Sequence, residues 1–428
     1  MTITRTPSAA PLTDLDLARF LRPGDHIVIG QACGEPTTLI EALIEQCQHI
    51  PDLTAFVATS FSGIFTAESV RGFTLSSMGA IGALRSLTKS GNLQIIPCHV
   101  SQVGPMIESG HLRCDVAFVQ VSQPDSFGRH SFGLISDYVQ AAVSRARVVV
   151  AEINDQVPFT YGEMLPTSRI DHAIKVSRPP VEVSAAAISD IDTAIAAHAA
   201  AFIGDGSVLQ MGVGAVPDAM LRLLHDRTDL GVHSGMVGDG LVDLVESGAL
   251  TNARKTIDRG VSIAGALIGT PRLYDFADRN ISLRMCATSY THDAGVLGRL
   301  DRLVTINSAM EVDLTGQVNA EQSGAAYVGG TGGQVDFVRA GTHSRGGHSI
   351  IALPSTAKRG TVSRITATLS GPVTTARADV DVIVTEYGAA QLRGQSLPER
   401  ARRLIAVAHP DFAEQLEKAA HPIMARGF

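Results

Sequence analysis

The sequence contains no tryptophan, and aromatic residues make up only 5% of its 428 residues. Charged residues account for 18%, the net charge is -7, and no segment is strongly basic or alternates basic with aromatic side chains. Nucleic-acid-binding proteins usually show such basic patches, so we expect no nucleic-acid partner. No apolar run reaches the ~18 residues that a membrane-spanning helix needs, and the N-terminus lacks the apolar core of a signal peptide. We therefore expect a soluble cytoplasmic protein with no membrane partner.

Cysteine is also scarce, and its spacing excludes two kinds of site. The five cysteines include no Cys-x-x-Cys pair; they are Cys33, Cys47, Cys98, Cys114 and Cys286. This pattern argues against a disulfide framework and against a structural zinc site, and it fits a reducing compartment. We expect no bound metal.

Apolar residues reach 45%, which is typical of a packed globular protein, and the length favours two domains. Short Val- and Ile-rich runs such as HIVIG (26–30) alternate with helical segments, a pattern that predicts buried parallel strands and an α/β fold. The segment 179–190 is the best candidate for a linker, with Ser189 as a helix N-cap. We predict two open, mainly parallel α/β domains, residues 1–184 and residues 185–428.

The most informative stretch is VLQMGVGAVP, from Val208 to Pro217. An apolar strand stops at two glycines, and a helix-compatible segment follows at once. Such a turn leaves backbone N–H groups beside a helix N-terminus, where they can receive a phosphate, a carboxylate or a developing oxyanion. As a dinucleotide fingerprint the turn fails, because Pro217 occupies the third glycine position. The predicted anion-binding turn comprises Gly212, Val213, Gly214, Ala215 and Val216.

A second glycine-rich segment, GGTGGQVDF, covers residues 329–337 and follows the polar block 306–324. Within that block, Glu311 and Asp313 have the spacing of side chains on one face of a strand. For any single residue of the block, a solvated strand face or turn is an equally good interpretation. Two glycine turns in one half of the chain nevertheless suggest a large anionic ligand with a reacting carbonyl.

Taken together, the motifs of the chain resemble those of the acetyl-CoA hydrolase/transferase family, which includes 4-hydroxybutyrate and butyryl CoA-transferases. The resemblance extends over nearly the whole sequence and is specific for the family but not for a substrate. The matching segments are GQACGEP (30–36), VQVSQPDSFGRHSFG (119–133), AEINDQVPFTYG (151–162), GVGAVPDA (212–219), INSAMEVDLTGQVNAE (306–321), GGTGGQVDF (329–337), PSTAKRGTVSRI (354–365) and residues 384–412.

This resemblance implies an enzyme that transfers CoA between small carboxylic acids, with its active site in a cleft between two CoA-transferase-type domains. Coenzyme A and acyl-CoA would be substrates, and no cofactor would be permanently bound. A homodimer or a dimer of dimers is implied as well. In typical members a glutamate attacks the acyl-CoA carbonyl, and the resulting mixed anhydride is converted to a glutamyl-CoA thioester. That chemistry needs a site that excludes water and stabilises an oxyanion.

The chain departs from the family at the nucleophile. The expected glutamate position, about 23 residues after the first glycine turn, is occupied by Gly235 within His233-Ser234-Gly235-Met236. The flanking segment 238–255 matches well, so a shifted alignment does not explain the glycine. A His-Ser-Gly stretch resembles the subgroup of itaconate CoA-transferases.

Three interpretations of Gly235 are open. The acceptor acid could itself attack the acyl-CoA in a ternary complex, using space opened by the missing side chain. Alternatively, Glu311 or Glu321 could replace the missing nucleophile, or the chain could bind acyl-CoA without turnover. A thioester hydrolase is a rival enzyme class, and a nicotinamide dehydrogenase is a weaker one.

The resemblance also suggests roles for residues around the reacting groups. The 212–216 turn would face the thioester oxygen or the pantetheine, and His233 would either orient an acid or fill the core. Met236 would lie in the acid pocket. Lys358 or Arg364 could contact the CoA phosphates, with an ordinary solvated cation as the alternative.

Two further groups complete the predicted site. The second glycine segment would let the chain pass close to CoA at Gly330, Gly332 and Gly333. On the loop after the first strand, Gln31 and Glu35 would line the acid pocket. Glu35 could equally cap the helix that begins near Pro36.

Overall fold

The computed structural model describes residues 9–10 and 15–428. The chain divides into two units, of which the first comprises Met1–Ser184 with Ile263–Thr291, and the second comprises Ala185–Ser262 with His292–Phe428. One boundary therefore falls at the predicted position after residue 184. The segment 263–291, which we assigned to the second domain, groups with the first unit, because spatial neighbours along a sheet need not be neighbours in sequence.

In the first unit, strands and helices alternate along the chain, and all elements are numbered in chain order. Its strands are β1 (Ala9–Ala10), β2 (His26–Ile29), β3 (Thr54–Phe56), β4 (Thr74–Ser77), β5 (Gln94–Ile95), β6 (Val116–Val121), β7 (Arg129–Ser131), β8 (Val148–Asn154), β9 (Tyr161–Gly162), β10 (Met164–Pro166), β11 (His172–Val176), β14 (Ser262–Leu267) and β15 (Leu283–Met285). Its α-helices are α1 (Thr37–Gln46), α2 (Arg85–Ser90), α3 (Val100–Ser109), α4 (Val139–Arg145), α8 (Pro271–Ala277) and α9 (Thr288–Thr291).

The main sheet of the first unit has eight strands in the order β1-β11-β8-β6-β2-β3-β4-β5, and all neighbouring strands run parallel. Every residue of β6 and of β8 is buried. Strands buried on both faces have continuous apolar runs rather than alternating ones, which is the pattern the sequence showed. The prediction of a parallel α/β sheet is confirmed for this unit.

The second unit repeats this kind of architecture with different connections. Its strands are β12 (Val208–Met211), β13 (Gly231–Val237), β16 (Leu303–Ser308), β17 (Glu311–Asp313), β18 (Val318–Asn319), β19 (Gln322–Ser323), β20 (Ala326–Tyr327), β21 (His348–Ala352), β22 (Thr356–Ala357), β23 (Val362–Ser363), β24 (Ile365–Thr366), β25 (Val382–Thr385) and β26 (Gly388–Gln391). Its α-helices are α5 (Asp190–Ala200), α6 (Ala215–Arg222), α7 (Gly240–Glu246), α10 (Ala294–Leu297), α11 (Gln334–His343), α12 (Leu397–Ala406) and α13 (Ala413–Arg426).

Six strands of the second unit pair in the order β26-β25-β21-β16-β12-β13. The neighbouring strands are parallel except for β25 and β26, which form an antiparallel pair joined by a tight turn. The carboxyl ends of the parallel strands therefore meet along one edge, where open α/β sheets bind their ligands. The glycine turn after β12 lies at this edge, between the ends of β16 and β13.

Local sequence signals account for the ends of several helices. Ser189 caps α5, as predicted: its hydroxyl accepts from the N–H of Asp192, and the Asp192 carboxylate accepts in return from the N–H of Ser189 at 2.9 Å. The C-terminal helices α12 and α13 pack their apolar faces into one cluster with residues such as Leu392 and Ile383. Within the described part of the chain, none of the helices is both long and apolar enough to span a bilayer.

Candidate functional site

The glycine turn has the strand–turn–helix geometry that the sequence predicted. β12 ends at Met211, and α6 begins at Ala215, two residues before Pro217. Gly214 has φ +134° and ψ -179°, a conformation that L-residues rarely adopt. A Cβ placed on Gly214 would meet no atom within 4 Å, so backbone conformation rather than crowding requires glycine here.

A cavity of about 360 Å³ opens at this turn, within the second unit. Its lining includes the turn itself, the end of β16 and the end of β21: Asp192, residues 212–217, residues 306–310, Ala352, Pro354 and Arg364. The first-turn amides of a helix have no intrahelical acceptor, and the helix dipole favours negative charge there. The cavity therefore combines the predicted anion-binding turn with one cationic side chain.

Arg364 is the cation of this cavity. One guanidinium nitrogen donates to the carbonyl of Ala309 at 3.3 Å, while Nε is buried without a hydrogen-bond partner among the described residues. Burial lowers the pKa of Arg364, but a guanidinium keeps its charge in proteins. Lys358, the other predicted phosphate contact, is exposed on the turn between β22 and β23 and is not part of the cavity lining.

The end of β13 is tied to the end of β12 by a serine. The Ser234 hydroxyl lies 3.1 Å from the carbonyl oxygen of Met211 and 2.7 Å from that of Met236. Ser234 is fully buried, Gly235 is half-buried, and Met236 is exposed. The strand thus presents residues 235 and 236 at the edge of the sheet, next to the turn that begins at Gly212.

At position 235 the structure corrects one expectation. A Cβ built on Gly235 would lie 2.6 Å from Cε1 and 2.8 Å from Nε2 of His292, and 3.6 Å from Cε2 of Phe337. Real Cβ atoms do not approach other atoms below 3.0 Å. The glycine does not open free space where a side chain would begin, because the imidazole of His292 already occupies it.

Packing fixes the ring of His292. It lies 4.7 Å from the ring of Phe337, centroid to centroid, and Phe337 belongs to a buried apolar cluster. Burial, with a smaller contribution from neighbouring His233, lowers the pKa of His292 to about 3. The imidazole of His292 is therefore neutral near pH 7. His233 itself has no accessible surface, which agrees with the second of its two predicted roles, packing in the core.

The two glutamates considered as replacement nucleophiles are held by hydrogen bonds. Glu311 accepts from the amide nitrogen of Asn319 at 2.9 Å and from the backbone and hydroxyl of Ser370 at 2.6 and 2.9 Å. Glu321 accepts from the hydroxyls of Thr374 at 2.8 Å and Tyr327 at 2.6 Å. Both side chains are buried, so the solvated strand face weighed for Glu311 is wrong.

The second glycine segment also leads into a helix. Gly330, Gly332 and Gly333 lie on the turn immediately before α11, and Gly333 is its N-cap. Gly332 has φ +55° with open space around it. None of these three glycines lines the cavity at Gly212. The structure therefore brings the first glycine turn and Arg364 together, but it leaves the second glycine segment outside that cavity.

In the first unit, Glu35 and Gln31 are both buried after β2. Glu35 accepts from the hydroxyl of Ser60 at 3.0 Å and from the N–H of Phe61 at 2.7 Å, and burial raises its pKa to about 7. The amide of Gln31 donates to Asp137, another buried carboxyl, whose pKa burial raises to about 6. Both acid-pocket residues predicted in this unit thus have protein partners.

The helix-capping alternative for Glu35 is wrong, since another carboxylate performs that role. Glu152 of β8 accepts from the N–H groups of Thr38 and Leu39 at 2.8 and 3.2 Å, at the start of α1. Its other oxygen is buried without a partner among the described residues, and burial raises its pKa to about 7. The motif AEINDQVP contains this residue, but nothing in the sequence connects it to α1.

His292 was missed entirely by sequence reasoning. It lies in the segment SYTHDAG, which carries no metal-binding or nucleophile spacing. The described residues contain no group of three or more His, Cys, Asp or Glu side chains that could hold a metal ion. Only the folded chain brings His292 against Gly235.

Comparison with known proteins gives matches to both halves of one family. The acetyl-CoA hydrolase/transferase N-terminal domain matches residues 12–183, and the corresponding C-terminal domain matches residues 269–420. A 4-hydroxybutyrate coenzyme A transferase from Clostridium kluyveri is 40% identical over 396 residues, which cover 91% of this chain and 92% of that protein.

Solved structures give the same result. RipA from Yersinia pestis has a TM-score of 0.89 at 34% identity, covering 94% of this chain and 95% of the RipA chain. A 4-hydroxybutyrate CoA-transferase from Porphyromonas gingivalis has a TM-score of 0.82 at 36% identity, with 95% of each chain covered. The similarity therefore extends over nearly the full length in both sequence and fold.

Proposed function

The chain belongs to the acetyl-CoA hydrolase/transferase family, and we propose that it transfers CoA between two small carboxylic acids bound at the same time. Its full-length relatives identify it as an enzyme of the CoA-transferase type. The observation that carries the proposal is the cavity at Gly212, where a glycine turn, a helix N-terminus and the half-buried cation Arg364 meet.

The chemistry of this cavity suits a thioester. When a carboxylate attacks the acyl carbon of acyl-CoA, negative charge develops on the carbonyl oxygen. Backbone amides fixed at a turn stabilise such an oxyanion without rearranging during the reaction. Arg364 supplies a permanent positive charge for a carboxylate or for a CoA phosphate. Because the cavity is partly closed, these interactions are stronger than they would be in water.

The transfer step needs no enzyme carboxylate. The acceptor carboxylate attacks the acyl carbon of acyl-CoA, a C–O bond forms, and the C–S bond breaks to release CoA thiolate and a free mixed anhydride. The thiolate then attacks the acceptor carbonyl of the anhydride, which releases the donor acid as its carboxylate. One negative charge is carried throughout, so no proton is consumed. Correct positioning alone can contribute ~7–11 kcal/mol to such steps.

Two observations support this route over a covalent enzyme intermediate. Position 235 carries no side chain, and the carboxylates of Glu311 and Glu321 each accept hydrogen bonds from several protein donors. A carboxylate held in this way is less available as a nucleophile, since attack requires it to give up those bonds.

A single-turnover experiment tests the route. Enzyme in excess over acyl-CoA is mixed with an acceptor acid labelled with ¹⁸O in both carboxylate oxygens, and the released donor acid is analysed by mass spectrometry. Direct attack transfers one ¹⁸O atom from the acceptor to the released acid in the first turnover. A glutamyl intermediate would instead leave that label on the enzyme, and this outcome would contradict the proposal. Release of free CoA without added acid measures hydrolysis separately.

We extend the proposal to the acids themselves. The resemblance of the His-Ser-Gly stretch at 233–235 to the itaconate CoA-transferase subgroup favours a dicarboxylic substrate such as itaconate or succinate. The test is a panel of mono- and dicarboxylic acceptors with acetyl-CoA as donor, in which a dicarboxylate should give the highest kcat/KM. A clear preference for monocarboxylates would remove this part of the proposal.

The proposed function also includes the enzyme's cofactor requirement, its oligomeric state and its cellular location. We propose that transfer requires no permanently bound cofactor, so activity should survive exhaustive dialysis against a chelator. A homodimer or dimer of dimers is proposed from the family resemblance, and sedimentation equilibrium measures it directly. A cytoplasmic location fits the five cysteines, all in the described part of the chain, buried and without a disulfide.

A further inference from the structure

In the second unit, a different group fills the place where typical family members are expected to carry their nucleophile. At the carboxyl end of β13, position 235 has no side chain, and the imidazole of His292 fills the volume where one would start. The ring edge formed by Cε1 and Nε2 is the part closest to that position, at 2.6 and 2.8 Å from the built Cβ. Gly235 follows Ser234, whose hydroxyl donates to the carbonyl of Met211 at 3.1 Å, immediately before the Gly212 turn.

His292 differs from its neighbour His233 in accessibility. His292 keeps 7% of its surface accessible, whereas His233 has 0%. Of these two neighbouring histidines, only His292 has accessible surface. Its position is rigid on one side, since Phe337 packs against the ring and is itself 2% exposed. A molecule that approaches Gly235 would therefore contact the His292 ring, which Phe337 supports.

We propose that His292 contacts the carboxylic acid bound beside Gly235 and sets the size of acid that the site accepts. This inference rests on the proposed CoA-transferase function. A neutral imidazole suits the role, because it can line a pocket without the desolvation penalty of a charge. Burial, then His233, lowers the pKa of His292 and keeps the ring neutral over the range in which carboxylic acids are ionised.

The first test measures acid selectivity. Initial rates are recorded with acetyl-CoA and a series of acids: propionate, butyrate, isobutyrate and succinate. His292→Ala should shift the kcat/KM ratio of the larger to the smaller acids by ~10-fold or more, since one methylene in a pocket is worth about 10–200-fold. His292→Gln, which keeps most of the volume, should preserve the wild-type order. An unchanged ratio in a folded His292→Ala variant would overturn the proposal.

The matched control is His348→Ala. His348 is the first residue of β21, at the amino end of the same sheet, and its ring packs 5.2 Å from that of Phe202. Removing it deletes an imidazole from the same unit but at the edge opposite the Gly212 turn. This variant should lose stability without a change in the order of preferred acids. A selectivity shift of equal size in His348→Ala would show that general loosening, not contact at His292, is responsible.

The second test does not depend on turnover and separates this inference from the proposed function. Binding of the same acids to enzyme saturated with free CoA is measured by calorimetry for wild type and His292→Ala. If the wild type binds acids but transfers no CoA, the proposed function fails, and a changed acid order in the variant still supports the role of His292. An identical order of acid affinities in the two proteins contradicts the role of His292, as does a wild-type enzyme that binds none of the acids.

A thermal double-mutant cycle tests the steric premise. Gly235→Ala should lower Tm markedly in the wild-type background, because overpacking a closed site is destabilising. In the His292→Ala background the same change should cost less than half as many degrees, since the clashing ring is gone. Equal shifts in the two backgrounds would mean that the contact at 235 is not what excludes a side chain, and the proposal would lose its basis.

Discussion

The hydroxyl of Ser234 donates to the carbonyl of Met211, 3.1 Å away, and so joins the last residue of β12 to the end of β13. Met211 is the residue immediately before the Gly212 turn. The same hydroxyl oxygen is 2.7 Å from the carbonyl oxygen of Met236. One buried hydroxyl thus lies between the two strand ends that frame the candidate site, and it links the position of the glycine turn to that of Gly235.

Ser234→Ala should reduce kcat/KM for transfer about ten-fold, because two carbonyls lose a common hydrogen-bonding group and the turn is no longer held in register. The loss of a buried hydrogen bond should also lower the free energy of unfolding by about 1–3 kcal/mol. Steady-state kinetics and urea unfolding measure the two effects. Ser247→Ala is the control, since its hydroxyl caps the end of α7 at Leu244. Equal losses of activity in both variants would count against a specific role for Ser234.

Gly214→Ala should destabilise the protein by about 1–3 kcal/mol and abolish most of the transfer activity. The reason is the backbone conformation, φ +134° and ψ -179°, which an alanine adopts only under strain. Gly204→Ala is the matched control: that glycine also has open space around it, but its φ is not in the left-handed region. A Gly214→Ala enzyme with normal Tm and normal rates would show that the turn is not held in this conformation.

The two candidate cations should behave differently when neutralised. Arg364→Gln should raise the KM for acyl-CoA about ten-fold or more, since it removes the positive charge in the cavity lining. Lys358→Gln should leave the KM within about two-fold of wild type, because Lys358 is exposed outside that cavity. Measuring the KM of both variants at two salt concentrations separates a direct contact with acyl-CoA from long-range electrostatic attraction. A larger effect at Lys358 than at Arg364 would reverse the assignment.

The pH dependence of stability should reveal Glu152. Burial raises the folded-state pKa of Glu152 to about 7, above its ordinary value of 4.5. A carboxyl with a raised pKa contributes stability that is complete below its unfolded pKa and is lost as pH rises through the folded value. Glu152 should therefore make the protein less stable at pH 8 than at pH 5.

In the variant Glu152→Gln this contribution disappears, so the fall in Tm between pH 5 and pH 8 should become smaller than in wild type. Comparing each variant with wild type at every pH cancels contributions from other groups, including His292, whose lowered pKa acts in the opposite direction. Glu45→Gln, on the exposed face of α1, should reproduce the wild-type slope. A Glu152→Gln slope equal to that of wild type would exclude a buried titration at this site.

Much of the fold could be predicted because its signals are local. The apolar runs of β6 and β8 are buried throughout, the Ser189 cap begins α5, and the strand–turn–helix at 208–222 follows the glycine spacing. Each depends on residues within one or two turns of chain, so hydrophobic periodicity and backbone preference are sufficient. The family motifs extended the prediction from the fold to the enzyme class.

The candidate site could be predicted only in part. The sequence identified the Gly212 turn and the missing side chain at Gly235, and it offered Arg364 beside Lys358. It could not choose between those cations, because both lie on one Ser/Thr-rich segment and only the fold places Arg364, and not Lys358, in the cavity lining. Nor could it anticipate that the capping carboxylate of α1 is Glu152, which is 114 residues away from Thr38 along the chain.

The sequence by itself determined two mainly parallel α/β units, a glycine turn that opens a helix, and a glycine at residue 235. Tertiary structure alone decided which side chain lies against that glycine. His292 and Gly235 come from segments separated along the chain by β14, β15 and the helices between them, and neither carries a local signal for the other. Packing of side chains across a core depends on all three dimensions, and no periodicity along the chain records it.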